Sequence, residues 1–407
     1  MSTSPTYPRI ADDVLDALTA RIREVRLPRL TPATAAAPGP GRSRQEALLQ
    51  YWREQFDWRS WEDRIEQLGY RETTAADGRR LALLHSRAAA STGLPVLLIH
   101  GWPDSPLRFV ELTPRLNAAG HDIVAPAIPG FWNSEEPEGE ISRELVAADF
   151  HALMLELGYS RYAVHAGDWG APVAQTLALQ HPEAVVALHL TDVPFDLGYA
   201  VDKDTAGPAE LAFLAATEKF GDEALYLIAN MTQPNLISSI LADTPFGLAC
   251  WLGSLYDAWS ETPIPDEQII ANAALMYLSG TVRSSIRLYS EPATSWDESG
   301  WGEAADGGEW DTGGDEQTSS DGEWGAGGDE QASAESGQDW AAWAPARVEV
   351  PTAFALFPAD LVMAPRELAE RYFAVERFTV MPRGGHFAAL EEPDLLAEDL
   401  LAFLAAR

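Results

Sequence analysis

Four nearly all-apolar runs constrain this chain more than any other feature: "PVLLIH" from residue 95, "DIVAPAIPG" from 122, "RYAVHAGD" from 161 and "EAVVALHLTDV" from 183. A strand wet on one face alternates polar and apolar residues. A strand covered by helices on both faces reads as continuous hydrophobicity. Between the second and third runs, "RELVAADFHALMLELG" repeats apolar residues at helical spacing and stops at Gly158. Alternating buried strands and helices predict an α/β fold on a parallel sheet. Residues 194 to about 290 carry helical patterns broken by prolines. Sheet-type runs return at "VPTAFALFP" and "RFTVMPRGG", and "PDLLAEDLLAFLAAR" reads as an amphipathic closing helix. A helical block is therefore inserted into the α/β unit.

The first 70 residues precede this pattern. Val14, Leu18 and Ile22 recur every four residues until Pro28, and Trp61, Ile65 and Leu68 share a helical face in "LLQYWREQFDWRSWEDRIEQL". "TPATAAAPGPGRS", between them, is expected to be a mobile linker. Asp77-Gly78, flanked by strand-like runs, signals a hairpin.

At 407 residues and 46% hydrophobic content the chain can bury a large core. A formal charge of −34 repels phosphates, which argues against nucleic-acid binding and against docking on anionic lipid. Cys250 is the single cysteine, so neither an intrachain disulfide nor a cysteine metal site is expected. The start, "MSTSPTYPRIADDVLDAL", lacks the features of a signal peptide. No run of about 18 apolar residues exists to span a bilayer. The expectation is a soluble, cytoplasmic protein without a membrane anchor.

One segment stands apart. Residues 291–340 hold 15 acidic residues and no Lys or Arg; without them the formal charge changes from −34 to −19. Gly-Glu-Trp occurs at 308 and again at 322, each followed by Gly-Gly-Asp-Glu-Gln. Like charges and glycines cannot bury a core, so the segment is expected to be disordered.

The chemistry gathers around "HAGDWGAPVA", residues 165–174. Small residues flank Asp168 where a buried strand turns into a helix, the setting of a nucleophile elbow. An aspartate capping the next helix would look the same locally. Partners follow, however, in the order nucleophile, acid, histidine. Asp360 follows "TAFALFPA" and His386 follows "RFTVMPRGG", each just past a strand-like run. The backbone amides of Trp102, in "HGWPDS", and Trp169, after the nucleophile, are the expected oxyanion donors.

A carboxylate nucleophile suits displacement at a saturated carbon. The product is an ester whose carbonyl belongs to the protein, and a histidine-activated water then hydrolyses it. Strained cyclic ethers and alkyl halides fit. An epoxide oxygen needs a proton donor as it leaves, and a phenol with pKa near 10 can supply it. Tyr226 and Tyr289, in the inserted helical block, are the candidates.

These motifs resemble the microsomal-type epoxide hydrolases of the α/β-hydrolase superfamily. "RIREVRLP" and "LLQYWREQFDWRSWE" are similar to that family's N-terminal segment, and "HGWP", "GDWG", "SSIRLYSE" and "RGGHFAALEEPDLLAEDL" to its core motifs. The resemblance implies Asp168 as nucleophile, His386 as base, Asp360 as its acid partner, and Tyr289, with Tyr226, as proton donors. It also implies an α/β-hydrolase fold. That fold would comprise a wrapping segment over 1–90, core over 91–193, helical cap over 194–345 (with the acidic insert at about 291–343), and core again over 346–407. Two departures bear on the pocket. Asp104 stands where the family usually has glycine, and "PGFWNS" replaces "PGYGFS", placing Phe131 and Trp132 near the expected mouth beside Trp102 and Trp169.

The expected activity is conversion of an epoxide, from natural-product or xenobiotic chemistry, to a vicinal diol, with no metal or organic cofactor. The expected partners are the small-molecule epoxide and water, and a homodimer is left open. A haloalkane dehalogenase would use the same elbow, its indole N–H groups holding halide. A cyclase or binding protein on the same scaffold is the other alternative.

Overall fold

A computed structural model describes residues 7–29, 39–290 and 346–407. The acidic insert and most of the proposed linker lie outside the described residues.

The apolar runs form strands where expected. They are β3 (Val96–Ile99), β4 (Ile123–Pro126), β5 (Tyr162–Ala166) and β6 (Val185–Leu190), preceded by β1 (Tyr70–Thr74) and β2 (Arg80–Ser86) and followed by β7 (Val348–Leu356) and β8 (Phe373–Val380). They make one eight-stranded sheet in the order β1-β2-β4-β3-β5-β6-β7-β8. The β1–β2 hairpin pairs Thr74 with Arg80 across the Asp77-Gly78 turn, and β2 is antiparallel to both neighbours. All remaining pairings are parallel. Val96, Leu97, Leu98 and Ile99 are fully buried, which is why β3 shows no alternation. Each such side chain contributes about 1.5–3 kcal/mol of burial energy.

The order places the ends of β3, β5, β6, β7 and β8 side by side. In an open parallel sheet the crevice outside the carboxyl ends of the strands is where ligands bind. Helices flank the sheet, among them α4 (Leu112–Ala118), α5 (Arg143–Glu156) and α6 (Gly170–Gln180).

The stretch between β6 and β7 supplies α7 (Pro208–Glu223), α8 (Leu225–Thr232), α9 (Pro234–Asp243), α10 (Pro245–Trp259), α11 (Asp266–Ser279) and α12 (Val282–Ser290). These form the cap over the crevice. The N-terminal helices α1 (Asp12–Glu24), α2 (Arg42–Glu54) and α3 (Trp58–Gln67) join cap to sheet. Thus α1 meets α10, α2 meets α11, and α3 meets both α11 and β1. Arg44 seals the α2 contact with ion pairs to Asp257 at 2.8 Å and Asp266 at 2.6 Å. Leu18, Ile22, Trp61 and Ile65 are buried as the periodicity predicts, whereas Val14 is 44% exposed. Among the described residues no single helix is long and apolar enough to cross a membrane. One pair bent by 117°, Pro234–Asp243 with Pro245–Trp259, meets length and composition only together.

Candidate active site

Asp168 follows β5 and has a φ of +55°, the left-handed conformation an elbow demands of its central residue. Two glycines make room for it. A Cβ at Gly101 would overlap the Asp168 carboxylate, and one at Gly170 would press on the Ile99 and His100 carbonyl oxygens. The Trp102 amide donates to Asp168 Oδ1 at 2.8 Å. The Asp168 amide donates to Asp192 Oδ2 at 2.6 Å, so a carboxylate beyond β6 pins the elbow. Burial pushes the Asp168 carboxyl up. The hydrogen bond and charge of His386, with the Trp169 and Trp102 amides, outweigh it and hold the group below its ordinary value. The N-terminus of α6 adds a favourable dipole.

His386 lies on the loop beyond β8. Its Nε2 is 3.3 Å from Asp168 Oδ2 and its Nδ1 is 2.7 Å from Asp360 Oδ1, on the loop beyond β7. The Nε2 faces the Asp168 carboxylate. Burial alone would depress the imidazole, but the charges of Asp360 and Asp168 and their hydrogen bonds push it up to about 10. Backbone contacts hold the loop. The His386 amide donates to the Trp259 carbonyl at 2.8 Å, and Glu391 accepts the amides of Gly385 and Phe387, together with those of Glu261 and Thr262 from the cap.

The cap closes the site with aromatic rings. Tyr226, on α8, stacks on Trp102 with ring centroids 5.4 Å apart and planes 8° from parallel. Tyr289, on α12, meets Trp102, Trp169 and Tyr226 edge-on at 5.3, 5.5 and 5.9 Å. Both tyrosines are buried. Burial first, and then the Asp168 charge, raises the Tyr226 phenol. Burial, Tyr226 and Asp168 raise that of Tyr289. A cavity of about 530 Å³ opens beside Tyr226, lined by Phe220, Leu225, Tyr226, Leu255, Trp259 and Asp360 among others, whereas Asp168, His386 and Tyr289 do not line it. Among the described residues no cluster of His, Cys, Asp and Glu could hold a metal ion.

A family model described as "Epoxide hydrolase N terminus" matches residues 3–109, and one described as "alpha/beta hydrolase fold" matches residues 95–230. Epoxide hydrolase 1 of Sus scrofa is 25% identical over 448 residues, an alignment covering 99% of this chain and 88% of that protein. The chain is thus similar to epoxide hydrolases along nearly its whole length. Among solved structures, the Aspergillus niger epoxide hydrolase superimposes with a TM-score of 0.76 at 24% identity, covering 100% of this chain and 97% of that one. The juvenile hormone epoxide hydrolase of the silkworm Bombyx mori gives 0.75 at 21% identity, with 99% and 93% covered. At these identities the likeness establishes the fold, an α/β hydrolase.

The residues singled out from sequence separate into two groups. Asp168, Asp360, His386, Trp102, Trp169, Tyr226 and Tyr289 meet at one end of the sheet. Phe131 and Trp132 do not, which corrects their expected place at the mouth. Phe131 packs edge-on against His100, and Trp132 packs against Tyr7 and Tyr70. The N-terminal segment covers Trp132, so its ring is withdrawn from the cavity. Sequence reasoning passed over Trp259, whose ring stands 4.9 Å from Tyr226 and 5.4 Å from His386. It also passed over Asp192, although "HLTDV" puts an aspartate just past a strand end, the same signal that marked Asp360.

Proposed function

We propose that this enzyme converts an apolar epoxide to a vicinal diol through a covalent ester on Asp168. The observation that carries this reading is the arrangement of one carboxylate. Asp168 receives an amide, opposes an imidazole, and sits below two buried phenols. A carboxylate held by an amide and a cation presents an oxygen to an epoxide carbon. The new C–O bond forms as the ring C–O bond breaks. Tyr226 or Tyr289 gives its proton to the departing alkoxide and recovers one from the His386 imidazolium. Raised phenol pKa values keep both tyrosines protonated until that moment.

Esterification also changes His386. Asp168 loses its negative charge, so one of the two carboxylates that raise the imidazole disappears. The neutral ring then takes a proton from water, which attacks the Asp168 carbonyl carbon. The Trp102 and Trp169 amides are placed to stabilise the oxyanion. Collapse releases the diol, and the carboxylate and imidazolium are restored. Asp360 keeps the ring oriented throughout. The rings of Trp102, Trp169, Tyr226 and Tyr289 beside the carboxylate favour an uncharged, apolar substrate.

The paired phenols favour an epoxide over an alkyl halide, because halide leaves without a proton. A single turnover in ¹⁸O-water tests the mechanism. The diol should contain unlabelled oxygen taken from Asp168, with label appearing in the protein. His386→Gln should trap an ester visible as added mass, and Asp168→Ala should abolish turnover. Diol made by the Asp168→Ala protein would end the covalent proposal.

A further inference from the structure

A buried ion pair lies close to the site. Asp104 and Arg108 are 2% and 4% exposed, and their charged groups meet at 2.9 Å. Burying a charge pair costs several kcal/mol in desolvation, and a well-packed apolar pair is often as stable. Its connections distinguish this pair from a stability device. The second Arg108 nitrogen, Nη2, donates to the His386 carbonyl oxygen at 2.6 Å. Asp104 accepts the Tyr256 hydroxyl at 2.7 Å through its other oxygen. Asn272 donates to that hydroxyl at 3.1 Å and also to the Pro103 carbonyl oxygen. The guanidinium also lies over the Phe387 ring, 5.7 Å from its centroid. One network therefore joins the loop that carries the Trp102 amide, the backbone of His386, and the cap helices α10 and α11.

We infer that Asp104, Arg108 and Tyr256 are positioning residues that hold the Trp102 amide and the His386 imidazole in register for hydrolysis of the Asp168 ester. This rests on the covalent mechanism proposed above. In ester formation His386 holds the Asp168 carboxylate as a cation and returns a proton to the phenol, and no proton leaves water. In ester hydrolysis the imidazole must deprotonate a water while the amide receives the oxyanion, both on one carbonyl. Errors in the distance between loop and base therefore fall on the second step. A planar guanidinium spans two acceptors in fixed geometry, which an ammonium cannot do.

The test uses the full-length protein and styrene oxide as probe, with rapid-quench mass measurement of the ester and steady-state kinetics. The variants are Tyr256→Phe, Arg108→Lys, and the double change Asp104→Asn with Arg108→Gln, which leaves no unpaired buried charge. All are compared at equal folded concentration. Ester formation should stay within about two-fold of the parent, whereas hydrolysis slows by roughly ten-fold or more in the Arg108 variants, as expected when a reacting group is displaced by a fraction of an ångström. Ester then accumulates, and kcat and KM fall together with kcat/KM nearly constant. Tyr256→Phe should lie between these and the parent. A network that only stabilises the fold would alter melting temperature and leave the ratio of the two steps unchanged, which would overturn the inference. His386→Gln separates the two proposals. If it accumulates ester and the network variants do not, only the network inference fails; if it accumulates none, the mechanism fails.

Discussion

The Trp102 indole stacks on Tyr226 at 5.4 Å while the amide of the same residue donates to Asp168 Oδ1 at 2.8 Å. One residue thus links the Asp168 carboxylate to a phenol on the cap. Backbone and side chain have separable duties. Trp102→Leu keeps the amide and removes the stack. Its kcat/KM should fall by about ten-fold or more as Tyr226 loses its support, consistent with the ~0.5–1.5 kcal/mol of an aromatic pair plus the cost of misplacing an acid. Trp102→Phe should recover most of the loss. Steady-state kinetics on both proteins check this, and equal activity of Trp102→Leu and parent would count against it.

The proposed mechanism gives the two phenols near Asp168 one shared task. Tyr226→Phe or Tyr289→Phe alone should reduce the ester-forming rate by about ten- to a hundred-fold, and the pair together by ~10⁴-fold or more, since general acid catalysis contributes ~10²–10⁴. Rapid-quench measurement of ester formation reads the effect at the affected step. Full activity in the double variant would remove the tyrosines from the mechanism.

The strands and the site differ in how far they could be read from sequence. β3 and β5 announce themselves because burial on both faces removes every polar residue save histidine. Asp168, Asp360 and His386 were visible because each follows a strand-like run, and a parallel sheet gathers such ends at one edge. Trp132 shows the limit. Aromatic content does not say which neighbour a ring will choose, and here Tyr7 and Tyr70 of the N-terminal segment claim it. Arg108 shows another. A charged residue reads as exposed until a partner buries it, and that partner, Asp104, lies four residues earlier, just before the 3₁₀ turn over Pro106–Phe109, while the pair's other contacts come from 150 residues or more downstream.

Asp192 predicts a pH dependence of stability. Burial first, then the Asp360 charge, pushes its carboxyl up from 3.8 to about 7. The folded state therefore binds more protons than the unfolded state between these values. Its contribution to stability is complete below pH 3.8 and is lost as pH rises through about 7. Asp192→Asn keeps an oxygen for the Asp168 amide and removes the titration. Thermal melts from pH 4 to 8 should show a smaller decline on raising pH for the variant than for the parent. Parallel curves would show that Asp192 titrates as an ordinary carboxylate.

A second buried array, beneath the sheet, should govern stability without touching catalysis. His165 Nδ1 lies 3.0 Å from His189 Nδ1, and His189 Nε2 lies 3.2 Å from Asp399 Oδ2. Asp399 also accepts Arg377 at 2.6 Å and Thr379 at 2.8 Å. Burial opposes ionisation of Asp399, but the hydrogen bonds of His189 and Arg377 hold its carboxyl well below the ordinary value. Asp399→Asn removes the charge that these donors serve, and should cost roughly 2–5 kcal/mol, the lower part of the range applying because Arg377 reaches solvent. A depressed pKa contributes stability above the unfolded value near 3.8 that is lost as pH falls. The variant should therefore lose its deficit progressively on acidification below pH 4. Urea unfolding at pH 7 and at a series of pH values from 3.5 downward, through the range of the folded carboxyl, measures this, and kcat per folded molecule should be unchanged. A deficit that stays constant with pH would mean that packing, and not the ionised carboxylate, accounts for the cost.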